Sequence, residues 1–289
     1  MITFGLPYKG SKAAIAEELV KKLPPGGKIL DACCGGGAVL MALAMSLKYD
    51  KVVGNDINPA VVTLLDAVLI NKGQIDYDFP WECSREDFLI SLQKIENGDF
   101  TIQDCVNKFC ASFGNIGKQY LYGEKCEEIK TTAEKMLIAD KLSVRRGAYR
   151  KFIDLFRKLD DNGRLQRLEE LERLERLERL DCKSIYDIDY SEFDIVYFDI
   201  PYKDTSEYDF GFDHERFYKL FESLPIPAFL SEYKAPFTIV AEFDKTSILG
   251  NNSKKINALE KLYFNGSFEE YRALMGRFYE EKSSQMSLF

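Results

Sequence analysis

Residues 28–47 of this 289-residue chain read KILDACCGGGAVLMALAMSL. Residues 28–31 are a short, mostly apolar run that ends in an acid, which is typical of a strand buried in a sheet. The glycines at 35–37 allow a tight turn, and the alanine-rich run at 38–47 predicts a helix packed on that sheet. A strand, a glycine turn and a helix in this order indicate the start of a doubly wound α/β fold.

The flanking sequence continues this alternation of helices and strands. Residues 12–23 have the apolar spacing of a helix, and the run Pro24-Pro25-Gly26-Gly27 ends it. Residues 51–54 predict a second strand, and residues 60–70 predict a helix that begins after Pro59. Further strands are predicted at residues 193–198, 228–231 and 238–241. The sheet is therefore expected to draw on both ends of the chain.

Between these strands the alternation stops, and the chain divides into four predicted parts. The parts are an α/β domain at 1–72 and 182–280, a mostly helical insertion at 73–163, a leucine-rich helical spacer at 164–181 and a flexible tail at 281–289. Leucine recurs at every third position of the spacer, with Glu-to-Arg pairs at i,i+4 that favour a helix. A coiled coil is the less favoured alternative, because its period is about 3.5 residues.

Composition excludes several classes of protein. Acidic residues outnumber basic ones by 47 to 39, which gives a formal net charge of −8 and argues against binding nucleic acid by bulk charge alone. Seven cysteines without a CxxC pair are typical of reduced thiols, so no zinc site is predicted. No leader and no apolar stretch of membrane-spanning length is found, so a cytoplasmic protein is expected.

Acidic residues follow three of the predicted strands, at Asp31, Asp56 and Asp199. In an open α/β sheet, ligands bind at the carboxyl ends of the strands, and an acid after the second strand commonly binds ribose hydroxyls. The glycines from Gly35 lack the G-x-G-x-x-G spacing of a pyrophosphate site but let backbone approach a ligand closely. A nucleoside ligand without a pyrophosphate fits both facts.

The sequence Asp199-Ile200-Pro201-Tyr202 has the parts needed to hold a flat amine. It combines a carboxylate, a main-chain carbonyl before a residue without an N–H, and an aromatic face. Two acceptors on a conjugated amino group would favour a pyramidal nitrogen whose lone pair can attack a methyl group. If the base comes from duplex DNA, it must first rotate out of the helix, at a cost of a few kcal/mol.

Four motifs, in this order, resemble those of the Dam-like, D12-class DNA adenine-N6 methyltransferases. They are Tyr8-Lys9-Gly10-Ser11-Lys12, the run from Asp31 to Gly37, Asn55-Asp56-Ile57-Asn58 and Asp199-Ile200-Pro201-Tyr202. The resemblance implies a Rossmann-like domain with a target-recognition insertion, and some patches look like those of phage-borne members. It implies that Tyr8, Lys12, Asp56 and Asp199 contact S-adenosylmethionine, and that Asp199, Pro201 and Tyr202 hold the adenine. With Asp31 and Gly35, these are the candidate site residues.

Two positions depart from the family pattern. Cys33 stands where the family has an aromatic residue, and Ile200 stands where it has the first proline of D-P-P-Y. The alternatives left open are an amino-methyltransferase acting on cytosine N4, RNA adenine or protein glutamine, and a DNA-binding relic without activity. The early motif and the initial aspartate of the last motif favour DNA adenine.

Two further segments suggest partners. The basic residues Arg145, Arg146, Arg150 and Lys151 of the insertion are candidate contacts to the phosphates of double-stranded DNA. The last five residues, Gln285-Met286-Ser287-Leu288-Phe289, look like the pentapeptide that binds the bacterial sliding clamp. His214, the only histidine, is interpreted as a surface or loop-packing residue.

Overall fold

The computed structural model describes residues 5–6, 8–71, 83–113, 117–121, 173–202, 212–249 and 254–276. The chain divides into two compact units. The larger unit comprises Lys12–Cys34, Val39–Ile57 and Arg173–Phe289, and the smaller comprises Met1–Ser11, Gly35–Ala38 and Asn58–Glu172.

The larger unit contains a sheet of seven strands. Their order across the sheet is β3-β2-β1-β4-β5-β7-β6. The strands are β1 (Gly26–Asp31), β2 (Tyr49–Asn55), β3 (Leu177–Asp181), β4 (Ile195–Phe198), β5 (Ala228–Glu232), β6 (Thr238–Leu249) and β7 (Lys254–Phe264). The first five strands pair in parallel, whereas β7 is antiparallel to both of its neighbours. The predicted α/β class, with a sheet formed from both ends of the chain, is confirmed.

The strand order places a topological switch point between β1 and β4. From β1 the chain proceeds to β2 and β3 on one side, and from β4 to β5 on the other. The two central strands are in register, with Asp31 opposite Tyr197. Because crossovers leave the sheet in opposite directions here, the carboxyl ends of β1 and β4 border a crevice where ligands bind in such folds.

Six α-helices lie in the described residues. They are α1 (Ala16–Lys22), α2 (Ala38–Met45), α3 (Pro59–Leu69), α4 (Arg85–Asn97), α5 (Ile102–Cys110) and α6 (His214–Ser223). Ser84 and Thr101 each form a capping box, and Asp213 accepts from the Arg216 amide at the start of α6. These caps satisfy amides that the first turn of a helix leaves without partners.

An aromatic core holds β4 in place. All four residues of β4 are buried, and the Phe198 ring lies 5.2 Å from that of Phe217 and 6.0 Å from that of Phe221, both on α6. These edge-on contacts add to the burial of large apolar surfaces. The loop after β4 therefore leaves from a rigid support.

The leucine-rich segment differs from its prediction where the structure describes it. Residues 177–181, predicted to be the end of a helix, form strand β3 and pair in parallel with β2. Leu180 packs beside Gly54, where a Cβ would lie 2.5 Å from a leucine methyl group. Glu178 pairs with Lys28 at 3.0 Å and Lys51 at 2.8 Å. Pairing with the sheet edge overrides the helical preference of the sequence, and residues 164–172 lie outside the described part.

The smaller unit contains α3, α4 and α5. Helix α3 packs against α5, and this part of the smaller unit begins at Asn58, whereas the insertion was predicted to begin at residue 73. The domain boundaries stay a prediction. Between α4 and α5 the buried side chains of Ser91 and Asp104 are joined at 2.9 Å. Helices α4 and α5 account for most of the described residues of the predicted insertion, while residues 73–82, 114–116 and 122–163 lie outside the description. The mostly helical character of the whole insertion stays a prediction.

No helix in the described residues is long and apolar enough to cross a membrane. Within the same residues, no group of three or more His, Cys, Asp or Glu side chains is placed to hold a metal ion.

Candidate active site

Three carboxylates lie at adjacent carboxyl ends of the parallel strands. Asp31 ends β1, Asp56 follows β2 and Asp199 follows β4. Since β2, β1 and β4 are neighbours in the sheet, the larger unit gathers these three acids at one edge. This is the position predicted from the sequence for all three.

The Lys12 ammonium binds the Asp199 carboxylate. Its Nζ atom lies 2.6 Å from Oδ1 and 2.7 Å from Oδ2 of Asp199, and 3.6 Å from Oε1 of Glu260. The Lys12 side chain is only 2% exposed and that of Asp199 20% exposed. At this burial the pair is well shielded from water, so it orients the carboxylate more firmly than a surface pair would.

Tyr202 lies in the same cluster. Its hydroxyl donates to Oε1 of Glu260, its ring centroid is 4.7 Å from the Lys12 ammonium, and the Tyr233 ring packs edge-on at 4.5 Å. Burial, followed by the charges of Asp199 and Glu260, raises the pKa of the Tyr202 hydroxyl well above its usual range. Tyr202 is therefore a neutral hydrogen-bond donor near neutral pH.

The loop from Asp199 to Tyr202 is fixed at two further points. Ile200 is buried in the aromatic core, which explains how an apolar isoleucine is accommodated where the family motif has proline. The His214 ring contacts the Pro201 carbonyl oxygen at 2.9 Å and the Phe212 carbonyl oxygen at 3.1 Å. The interpretation of His214 as a loop-packing residue is confirmed.

Asp31 is the buried acid of the site. It is 1% exposed, and neither of its carboxylate oxygens has a side-chain hydrogen-bond partner within the described residues. Burial, and then the charges of Asp199 and Asp56, raise the pKa of Asp31 well above its usual range. An ionised carboxylate that is buried without a paired charge is unfavourable in free energy, so the position suits a ligand that carries positive charge.

Asp31→Asn is expected to change how stability depends on pH. Because the folded chain holds the Asp31 proton at pH values where the unfolded chain has lost it, this group lowers the free energy of unfolding as pH rises above about 4. Asparagine does not titrate, so the melting temperature of the variant relative to the parent should rise with pH. Thermal unfolding without cofactor from about pH 4 to pH 9 measures this, and a constant difference would contradict it.

Asn55 joins β1, β2 and the segment after β3. Its side chain donates to the carbonyls of Ala32 at 2.9 Å and Lys183 at 3.1 Å, and it accepts from the Lys183 amide at 2.9 Å. The residue is 1% exposed, so the bond to Ala32 is shielded from water and the two bonds to Lys183 are partly shielded. Asn55 thereby fixes the turn that carries Asp56.

Asn55→Ala should lower the free energy of unfolding by about 3 kcal/mol, because buried main-chain groups lose their partners. Urea unfolding measures the change. Asn71→Ala is the matched control, since the Asn71 amide makes an exposed bond to Asp66. We expect a change below about 0.5 kcal/mol for the control. Equal losses in the two variants would contradict a stabilising role for the Asn55 hydrogen bonds.

Tyr8 and Gly35 belong to the smaller unit, where they pack together. Gly35 has φ +47°, and a Cβ there would lie 3.2 Å from the Tyr8 ring. At Gly36 a Cβ would lie 2.7 Å from the Tyr8 Cβ and 2.8 Å from the Leu6 carbonyl oxygen. Glycines are therefore required for this turn to approach Tyr8.

Several predicted residues lie outside the described part of the chain. These are Arg145, Arg146, Arg150 and Lys151 of the insertion and the five residues from Gln285 to Phe289. Two site residues were not predicted from the sequence, namely Tyr233 and Glu260. Tyr233 follows a predicted strand and was recognisable in principle, whereas Glu260 lies on β7, which was not predicted.

The fold and the site together define a class of enzyme. The mixed α/β architecture and its seven-stranded sheet are consistent with a Rossmann-like methyltransferase, and the acids gathered at the switch point suit a nucleoside-bearing, positively charged cofactor. A search of curated proteins finds no significant match.

The family model for the D12 class N6 adenine-specific DNA methyltransferases matches residues 8–271. The chain belongs to this family. It is an adenine-specific DNA methyltransferase that methylates the N6 amino group of adenine in DNA with S-adenosylmethionine as methyl donor. The alternative substrates and the inactive relic considered from the sequence are set aside by this finding.

Proposed function

We propose that the target adenine binds with its N6 amino group between the Asp199 carboxylate and the Ile200 carbonyl oxygen, against the Tyr202 ring. The observation that carries this proposal is the placement of Asp199 at the switch point, held by Lys12 and next to Tyr202. Each carboxylate oxygen has two lone-pair sites, so Asp199 can accept from the adenine while it keeps Lys12.

The two acceptors prepare the amino nitrogen for attack. Hydrogen bonds to Asp199 and Ile200 draw the N6 lone pair out of conjugation with the ring, and this makes the nitrogen more nucleophilic. As the nitrogen–carbon bond forms, positive charge develops on N6, and the nearby Asp199 carboxylate stabilises it. The product then loses one N6 proton to water. To reach this site from a duplex, the adenine must rotate out of the helix and be held by stacking and edge contacts.

The acids of the larger unit fit the cofactor. S-adenosylmethionine supplies an electrophilic methyl group on a positively charged sulfur and also carries an ammonium group. Asp31, Asp56 and Asp199 offer the negative charge to bind it, and the buried Asp31 carboxylate would gain a partner. Lys12 holds Asp199, and its own contact with the cofactor stays a prediction from the sequence. The roles of Tyr8 and Gly35 in cofactor binding stay predictions from the sequence.

The proposal is tested in methylation-deficient bacterial cells that express the chain, with Asp199→Ala expressed in parallel. Sequencing that maps N6-methyladenine in genomic DNA should find modification in one short sequence for the parent and none for the variant. Methylation by both proteins would contradict the proposed role of Asp199. Methylation by neither would contradict activity on double-stranded DNA.

Two proposals concern partners. The basic cluster at Arg145, Arg146, Arg150 and Lys151 would bind phosphates of double-stranded DNA, so alanine substitutions there should weaken DNA binding and reduce its salt dependence.

The tail from Gln285 to Phe289 would bind the bacterial sliding clamp. Deletion of residues 285–289 should abolish clamp binding in a surface assay without changing methylation in vitro, and unchanged clamp binding would rule the contact out. A cytoplasmic location also stays a prediction.

A further inference from the structure

A buried carboxylate on β7 reaches the residues that follow β4. Strand β7 is antiparallel to β5, and its Lys261 pairs with Glu232, the last residue of β5. Glu260, one residue earlier on β7, therefore lies just beyond the carboxyl end of β5, next to that of β4. Its side chain is fully buried. Burial of a carboxylate is unfavourable without paired charges and hydrogen bonds, so its contacts indicate what it does.

Glu260 contacts two residues of the site through the same oxygen. Oε1 accepts the hydrogen bond from the Tyr202 hydroxyl and lies 3.6 Å from the Lys12 ammonium, which in turn contacts both oxygens of Asp199. The Lys12 ammonium thus lies between the carboxylates of Asp199 and Glu260. The Tyr202 hydroxyl is hydrogen-bonded to the Glu260 carboxylate.

We propose that Glu260 is a positioning residue for methyl transfer, which holds the Tyr202 ring by its hydroxyl and offsets the charge of Lys12. This inference rests on the proposed binding of adenine at Asp199 and Tyr202, and it adds a residue that touches neither adenine nor cofactor.

Glu260 adds negative charge close to the atom on which the reaction develops positive charge. Positive charge develops on N6 beside Asp199, but the Lys12 ammonium, 2.6 Å from that carboxylate, cancels much of its field. With Glu260, the cluster of two carboxylates and one ammonium keeps a net negative charge. With glutamine at position 260 the cluster is neutral, so the positive charge that develops on N6 in the transition state is less well stabilised. The bound substrate has not yet developed this charge, so its binding should change little.

Glu260 also fixes the orientation of the Tyr202 ring. A tyrosine ring held at its hydroxyl end keeps one orientation, and Tyr233 packed edge-on at 4.5 Å supports that orientation from the side. Burial raises the pKa of the Tyr202 hydroxyl, so it keeps the proton it donates to Glu260. Without this bond, the ring that contacts the adenine can tilt, and the amino group then leaves its reactive alignment more often.

The experiment compares Glu260→Gln and Tyr202→Phe in the full-length protein. Single-turnover methylation of genomic DNA from methylation-deficient cells, at saturating S-adenosylmethionine, gives the rate of the chemical step. Glu260→Gln keeps an acceptor for the Tyr202 hydroxyl but removes the charge, and we expect its rate to fall about 10- to 100-fold. Tyr202→Phe keeps the ring and the charge, and we expect about a tenfold fall.

A second readout separates positioning from a structural role. Cofactor affinity should stay near that of the parent in both variants, and thermal unfolding should stay cooperative even where the lost hydrogen bond lowers the melting temperature. A damaged fold would instead lower cofactor affinity together with the single-turnover rate. The matched control is Glu242→Gln, which removes an exposed partner of Lys261 at 3.7 Å and should leave the rate within about twofold.

The outcomes are distinct. Glu260→Gln at the parental rate overturns the inference, and so does a Glu260→Gln variant that loses cofactor affinity in proportion to its rate. If Glu260→Gln does not fold, Tyr202→Phe decides, because a parental rate there contradicts the anchoring role and a selective loss of rate supports it. A parent protein that methylates no DNA contradicts the proposed function itself.

Discussion

Replacement of Asp199 by asparagine is expected to lower the rate of adenine methylation by about 100- to 1,000-fold while the protein stays folded. Asparagine keeps the shape of the side chain and one acceptor oxygen, but it removes the negative charge beside the reacting nitrogen. The fold should tolerate this change because Lys12 retains Glu260 as a partner at 3.6 Å. The measurement is the single-turnover rate on unmethylated genomic DNA, together with thermal unfolding.

A matched control for Asp199→Asn is Asp244→Asn, which makes the same chemical change at an exposed position of β6. Its rate should equal that of the parent. A rate for Asp199→Asn within tenfold of the parental rate would contradict the proposal that this carboxylate stabilises the developing charge.

Replacement of Lys12 by methionine is expected to damage both stability and activity. The substitution keeps an apolar stem of similar length but leaves the carboxylates of Asp199 and Glu260 without the ammonium between them. Removal of one partner from a buried ion pair costs about 3 to 5 kcal/mol in free energy of unfolding, and the partial exposure of Asp199 places this case at the lower end. Methylation should fall at least about 100-fold, because the Asp199 carboxylate loses its orientation.

Lys21→Met provides the control for Lys12→Met. Lys21 pairs with Glu18 at 2.5 Å, but both side chains are more than 60% exposed, at 64% and 61%. Urea unfolding should therefore show a change of no more than about 0.5 kcal/mol for Lys21→Met. Similar losses of unfolding free energy for the two lysines would contradict the conclusion that burial strengthens the pair between Lys12 and Asp199.

The part of the candidate site that depends on short sequence patterns was predictable from the sequence. Asp31 and Asp56 were found because each ends a strand that its own apolar residues indicate, and the Asp199 motif was found in the same way. Because ligands bind at the carboxyl ends of parallel strands, the sequence also predicted that the three acids belong to one site.

Glu260 shows the limit of this reasoning. It is the only acid among residues 254–264, and no strand was predicted there from the sequence. Only the register of β7 against β5 shows that Glu260 is buried at the carboxyl end of β5. The contact between Lys12 and Asp199 likewise joins residues 187 positions apart. A motif identifies each of the two residues, but no local sequence pattern predicts that their side chains are in contact.

The leucine-rich segment shows the opposite error. Its charge pairs favour a helix in an isolated chain, yet residues 177–181 pair with the exposed edge of β2. The free energy of that pairing belongs to the assembled sheet, so it cannot be read from the segment alone.

Local patterns in the chain were thus sufficient for the α/β class, the strand ends and the acids on them, since these depend on residue periodicity and turn chemistry. The edge strand β3, the antiparallel β7 and the buried cluster of Lys12, Asp199, Tyr202 and Glu260 were settled only by the folded sheet. Their free energies come from contacts between segments far apart in the chain, and such contacts exist only once the strands have paired.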